Sequence, residues 1–572
     1  VRPLDWVVLI AALTAIVLYG MWKGRTNRNL DGYLLADRSM RWHMIALSIM
    51  ATQASAITFL STPGQAYVDG MRFVQFYFGL PLAMIVLSMT AVPLYRRFKV
   101  FTAYEFLERR FDGKTRSLAA FLFLIQRGLA AGLTIFAPSL VLSVLLGWNI
   151  QAVIAGVGAI VITYTAWGGT KTVQHTQFLQ FLVIIAGMTI AFGLIVRALP
   201  DGVGFVDALA VAGKLGKLNT VDFSLDPNSR YTVWSGLLGG LFLQLSYFGT
   251  DQSQVGRYIT GANVGESRLS LLFNGMVKVP MQFGILFLGA LVFVFYTFVM
   301  PPVFFNPAEV RKLEQSALAP EFREVQARHV EAFAARERGA RELVGARRAG
   351  DVAAEAEAVR GLRESHAAFR EVRDDAVSLM RRNDPGARTN DTNYIFLSFV
   401  LGVLPVGVVG LVLAAIFSAS MSSMSAELNA LASTSIVDVW RRWRRRGPAS
   451  PDADAATDLR EVLASKLATV FWGAFAVGFA MMAGRLGSLV EAINILGSLF
   501  YGTILGIFLV AFFFKRVGGT AVFFAALVAE GAVIACYLYT GISFLWYNVI
   551  GGLLVIAVAH ALEPLLRRRQ AA

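Results

Sequence analysis

The chain has almost no cysteine and little histidine, and each shortage closes off a class of function. Its single cysteine, Cys536, lies inside an apolar run, so neither a disulfide framework nor a cysteine metal site is available. The five histidines, His43, His175, His329, His366 and His560, are scattered without ligand spacing. With no metal cluster and no nucleophile beside a base, an enzyme has nothing to stand on. Charge is scarce as well: 16% of the 572 residues are Asp, Glu, Lys or Arg, against about 25% in an ordinary soluble domain. No repeated filter-like loop marks a channel.

What is present is apolar length. Hydrophobic residues make up 56% of the chain and the mean hydropathy is +0.58. Runs of about 18–25 apolar residues recur, each enough to cross a bilayer core of about 30 Å. They give about thirteen candidate spans, near 5–22, 43–66, 73–94, 116–146, 149–168, 173–199, 231–251, 269–300, 393–437, 464–483, 489–514, 519–540 and 543–563. The first residue is Val1, which points to a natural start upstream, and the segment after it does not read as a signal peptide.

The net charge of +14 could suggest nucleic acid, but its distribution says topology. Basic residues collect in alternate short loops: Lys23 to Arg41, Arg96 to Arg116, Lys171, Arg257 and Arg268, Arg441 to Arg446, Lys515 and Arg516, and Arg567 to Arg569. Connections near Gly147, Arg485 and Gly541 are nearly free of positive charge. Cytoplasmic loops are the basic ones, which puts the N-terminus outside, the C-terminus inside and the chain in the cell (inner) membrane. Lipid is then a partner and nucleic acid is not. Residues 1–300 hold the first eight spans and 393–572 the last five. Between them, 301–392 is rich in Ala, Glu and Arg, interrupted at Gly350-Asp351, and reads as an external helical hairpin. Val325, Val330, Phe333 and Val344 are its sparse apolar contacts, and a solvated spacer without a ligand role is the plainer reading. Residues 200–230 read as a surface loop, and the linker from Arg441 to Thr457 opens as a headgroup-facing basic stretch and ends as a flexible loop.

Polar groups inside a membrane are costly, so their positions inform. The second span carries Gln53, Ser55, Thr58, Ser61 and Thr62, with Pro63-Gly64 closing it. The seventh is interrupted by Gln244, Ser246, Tyr247, Gly249, Thr250 and Asp251. The ninth carries Ser418, Ser420, Ser422, Ser423 and Ser425 at its middle. Close helix packing explains such serines. A cation site made of hydroxyls and the freed carbonyls of a broken neighbour explains them too.

The wording around these residues resembles the sodium:solute symporter family. The matching stretches are ATQASAITFLSTPGQAY at 51–67, FTAYEFLERRFDGKTR at 101–116, TAWGGTKTVQHTQFLQ at 165–180, SYFGTDQSQVGRYIT at 246–260 and AAIFSASMSSMSAELNALASTSIVDVW at 414–440. The resemblance implies an all-α membrane protein with a LeuT-type fold. Of two inverted five-helix repeats, the first would span 43–199 and the second would begin in 231–300. It implies a Na⁺ site from the carbonyls of Ala51, Ala54 and Ala419 and the hydroxyls of Ser422 and Ser423, and a substrate site around Ser55, Thr58, Tyr77, Gln244, Tyr247 and Asn494. Members with a second sodium site read Trp-Thr-Asp where this chain reads His175-Thr176-Gln177, and Ala426 replaces another hydroxyl, so one coupling Na⁺ is expected. Arg127, buried about 16 Å into the fourth span at about 1.5 Å per residue, joins the substrate set as a carboxylate anchor. Its alternative is pairing with an internal acid. Glu427 is either a proton or cation carrier or a carboxylate facing an inner vestibule. Lys278 falls out of register with the lysine of the sugar carriers.

These readings converge on a symporter importing a small polar organic solute (a sugar, a sialic acid or another carboxylate) with Na⁺, a monomer sufficing for transport. A proton-coupled symporter using Glu427 or Asp251 is the alternative in the same class. A transporter-like receptor is the alternative in another, although nothing after Arg569 reads as a kinase and the 441–463 linker is too short for a domain.

Overall fold

The computed structural model describes residues 2–24, 35–444, 454–483 and 487–571. Arg25 and Arg28 of the first basic loop, residues 445–453 of the linker and Arg485 lie outside these. The described residues are helical almost throughout. Among the described residues nine helices are long and apolar enough to cross a membrane, ten with one bent pair, and shorter apolar helices stand beside them.

The first helix, α1 (Pro3–Gly24), is followed by the bent pair. Helix α2 (Trp42–Gln53) stops, Ala54 leaves the helical region at φ −85°, ψ 64°, Ser55 runs extended, and α3 (Ala56–Asp69) resumes at an angle of 57°. Pro63-Gly64 does not close this segment as expected. Proline's missing donor is absorbed within α3, which runs on to Asp69. Helix α4 (Leu80–Met89) leads to the 34-residue α5 (Gly113–Leu146), started by the Asp112 side chain accepting from Thr115 N at 2.9 Å. Spans expected at 149–168 and 173–199 form one helical run, α6 (Ile150–Arg197), whose apolar parts are Ile150–Thr163 and Val173–Arg197. The supposed loop 200–230 contains a helix, α7 (Phe205–Lys214).

The second interruption lies between α8 (Gly240–Gly249) and α9 (Gln252–Tyr258). A short bridge joins the chain entering α2 to the turn after α9: Met40 N donates to Thr260 O at 3.1 Å and Ala262 N to Met40 O at 3.0 Å. Helix α10 (Val264–Phe298) follows, then the hairpin α11 (Ala319–Ala349) and α12 (Val352–Asn383). The turn is where Gly350-Asp351 placed it, with Asp351 capping Ala354 N at 3.0 Å. This hairpin is no solvated spacer. Arg336, 1% exposed, donates to Tyr296 O at 2.5 Å and lies 3.7 Å over the Phe369 ring. His329 bonds Pro301 O at 3.0 Å, while Arg348 and Glu355 pair with Asp207 and Lys214 of α7. Val325, Phe333 and Val344 are buried, but Val330 points outward at 52% exposure.

The single span expected at 393–437 is two helices, α13 (Thr392–Val403) and α14 (Val408–Thr434). Leu404, before Pro405, is held extended, and Gly407 turns the chain at φ 86°. Helix α14 continues into a π-helical stretch, Ser435–Trp440. The rest is α15 (Asp454–Met482), whose start reaches into the expected linker, then α16 (Leu489–Phe513), α17 (Gly519–Tyr539) and α18 (Phe544–Ala571).

Candidate functional site

The break between α2 and α3 faces the middle of α14. Neither Gly nor Pro marks it. Ending the helix at Gln53 frees carbonyls from the i→i+4 ladder, and one of them, Thr52 O, accepts from Ser423 Oγ at 2.9 Å. Ser423 Oγ also lies 3.1 Å from Ala419 O. Ser422 is fully buried and its hydroxyl has no partner among the described residues. Ala51, Ala54 and Ala419 are buried in the same neighbourhood. The carbonyl that meets Ser423 from across the break is Thr52's, which was not among those expected, while Ala419 O, which was, meets it from within α14. Gln177 of α6 fills the adjoining space. Its amide nitrogen donates to Ser422 O at 3.0 Å and Thr52 Oγ1 at 3.1 Å, and its oxygen accepts from Ser48.

Above and beside this break lies a cavity of about 100 Å³. The seven residues named as substrate contacts, Ser55, Thr58, Tyr77, Arg127, Gln244, Tyr247 and Asn494, all reach its wall, although they come from five separate stretches of chain. Ser423 and Glu427 line it too. The two cations at the wall differ in company. Arg127 is engaged by the protein's own acids: Asp251, Glu427 at 3.1 Å and the Tyr501 hydroxyl at 2.7 Å. Tyr501 in turn donates to Asp251 at 2.9 Å. The arrangement is the internal pairing weighed against a carboxylate anchor, and it leaves the guanidinium little for a solute. Lys278, by contrast, is 1% exposed, its amine 5.5 Å from the Tyr77 ring, with no hydrogen-bond partner among the described residues. Neither Tyr501 nor Thr52 carried a sequence signal, since a lone tyrosine or threonine in an apolar run has many plainer uses.

Polar bridges cross the bundle on both sides of the cavity. At the hairpin end Ser61 meets Ser488 at 3.3 Å, Ser488 donates to Gln65 at 2.9 Å, and Glu491 accepts from Arg230 at 2.8 Å and Tyr231 at 3.1 Å. Lys217 caps the top of α3, its amine donating to Tyr67 O at 2.8 Å and Val68 O at 2.6 Å. Burial pushes that amine down to about 8, helped by Arg370, Arg336 and Arg373 and opposed by Asp69. At the other end the Arg127 cluster joins α5, the α8–α9 break, α14 and α16.

The sequence profile described as "SSF: Sodium:solute symporter family" matches residues 33–319 and 376–529. Sodium-coupled monocarboxylate transporter 1 of Xenopus laevis is 31% identical over 274 residues, 47% of this chain and 44% of that protein. The sodium/iodide cotransporter of Homo sapiens is 30% identical over 298 residues, 51% of this chain and 46% of that protein. The match thus spans less than half the length of these curated relatives. Among solved structures, a substrate-bound, outward-open Na⁺-coupled sialic acid symporter superposes with a TM-score of 0.74 at 22% identity, covering 99% of this chain and 98% of that one. That likeness shows the fold: a multi-pass, all-α, LeuT-like transporter fold, in which α2–α3 and α8–α9 are broken helices.

Proposed function

Because the chain belongs to the sodium:solute symporter family, we propose that it is a secondary active symporter importing a small carboxylate with Na⁺. The observation that carries the sodium half is the contact between Ser423 Oγ and Thr52 O at 2.9 Å across the helix break. Hydroxyl and carbonyl oxygens are the ligands a hard cation takes. Ser423, Ser422 with its idle oxygen, and the carbonyls of Ala51, Thr52, Ala54 and Ala419 supply them. One Na⁺ enters per cycle. At position 177 an amide spends its N–H groups on Ser422 O and Thr52 Oγ1, where a carboxylate would have drawn a second cation.

Lys278 supports the substrate class. A buried ammonium without a partner is costly, and an anionic solute supplies what it lacks. Relatives named for monocarboxylates and iodide handle anions. The basic loops orient the N-terminus and the hairpin outside and the C-terminus in the cytoplasm. Every proposed ligand comes from one chain, so a monomer suffices.

Thermal unfolding of purified protein with Na⁺ or choline, with and without propionate or lactate, tests both halves, since a ligand that binds the native state raises its stability. Sodium should stabilise the wild type and Lys278→Met but not Ser423→Ala, and the carboxylate should add stability only where Lys278 is present. Equal stabilisation in choline, or an unchanged sodium response in Ser423→Ala, would sink the ion assignment. An unchanged carboxylate response in Lys278→Met would sink the anchor.

A further inference from the structure

Helices α5 and α14 run antiparallel, and two ion pairs join them as rungs. Arg127 meets Glu427 at 3.1 Å and Arg116 meets Asp438 at 2.7 Å. The rungs are eleven residues apart on both helices, or about 16 Å at the helical rise. Both hold more negative than positive charge. Arg127 faces Asp251 as well as Glu427, and Arg116, with Arg442 3.6 Å from Glu108, faces Glu108 at 2.5 Å and Glu105 at 3.9 Å as well as Asp438. On each rung one carboxylate oxygen is idle: Glu427 Oε2 and Asp438 Oδ2 are buried without a hydrogen-bond partner among the described residues. Between them the buried Thr434 hydroxyl is idle too.

These oxygens fall on one side of α14. Ser423 precedes Glu427 by four residues, Thr434 follows it by seven, and Asp438 follows Thr434 by four, the spacing of a single helical face. The face starts at the cavity wall, where Ser423 and Glu427 stand together. It ends in the π-helical turn at Ser435–Trp440, a distortion found often at functional positions. Resting on the symport reading above, we propose that the α5–α14 seam is the route by which the coupled cation leaves the cavity for the cytoplasm, with Glu427 and Asp438 as its successive stations. The surplus carboxylates draw a cation along and turn an anion away, so the carboxylate solute leaves by another path. The arginines hold each carboxylate in place while leaving one of its oxygens for the ion. Ionisable groups inside a membrane are expensive and mark ion pathways, and two matched rungs with spare oxygens are more than α5 and α14 need to pack.

The test uses full-length protein in liposomes and follows ²²Na⁺ entry, with sodium-induced thermal stabilisation as the separate measure of binding. Glu427→Gln and Asp438→Asn should each slow net ²²Na⁺ entry on the order of tenfold, while the sodium concentration giving half-maximal stabilisation stays within about twofold of wild type. Thr434→Val changes no charge and should slow entry about threefold, which keeps the test decisive if a carboxylate variant folds poorly. Wild-type entry rates in the folded variants would overturn the route. So would slowing matched by a loss of sodium stabilisation, because the residues would then belong to the binding site. Uptake driven by a pH gradient in sodium-free buffer, lost in Glu427→Gln, would overturn it in favour of a proton. A wild type that sodium does not stabilise would fail the symport reading instead.

Discussion

The two helix breaks use the same backbone device and finish it differently. Between α8 and α9 the freed carbonyls are taken up by the protein: Tyr95 donates to Gly249 O at 2.6 Å and Tyr104 to Thr250 O at 2.9 Å. Asp251 caps Ser253 N at 2.8 Å and takes Arg127 and Tyr501 on its other oxygen. Between α2 and α3, Thr52 O meets one serine hydroxyl, a second serine stands idle beside it, and the space opens onto the cavity. A break whose carbonyls are taken up by tyrosines is scaffold. A break with spare oxygens is equipped to bind.

The largest way to break this contrast is Arg127→Leu. It leaves Asp251 and Glu427 buried and unpaired, a loss of about 3–5 kcal/mol, and little folded protein should survive extraction. Adding Asp251→Asn and Glu427→Gln should restore much of it, because the uncompensated charges are then gone. A wild-type melting temperature in Arg127→Leu would mean that the second break is not held by its charges. Tyr104→Phe is gentler. It strips one buried carbonyl of its donor for about 1–3 kcal/mol, and it should lower the melting temperature while leaving the sodium response intact. A shifted sodium response would show the two breaks to be coupled rather than distinct.

The smallest effect lies at Lys217, above the first break. Its folded amine loses its proton near pH 8, whereas an unfolded lysine keeps it until about 10.4. Between those values the unfolded chain holds more protons, so stability climbs with pH through that window. Melting temperatures taken from pH 8 to 10 should rise more in the wild type than in Lys217→Met. Equal slopes would remove Lys217 as their source.

Much of the cavity was legible because polar residues inside apolar runs have few uses, and those of the second and seventh spans converge on it. Where a helix ends was harder to read. Pro63 looks like a stop and lies inside α3, whereas the break at Ala54-Ser55 has no Gly or Pro and is held by contacts from α14 and α6. That is why Thr52 went unnamed. Pro405 and Gly407 did carry a local signal for splitting 393–437, overridden by the apolar length around them. Docking of the hairpin was illegible for another reason: Arg336 and His329 bond to carbonyls of Tyr296 and Pro301, and a carbonyl leaves no mark in sequence.

Helix α3 sits flush against its neighbours on one side. A methyl group at Gly64 would come within 1.9 Å of Thr392 O, and one at Gly289 within 2.2 Å of Pro63 O. Lys217 clasps its top. Toward α16 the contact is thinner, made of serine and glutamine hydrogen bonds that water can replace. Between α3 and α16, then, the seam is held by polar hydrogen bonds rather than by close backbone packing.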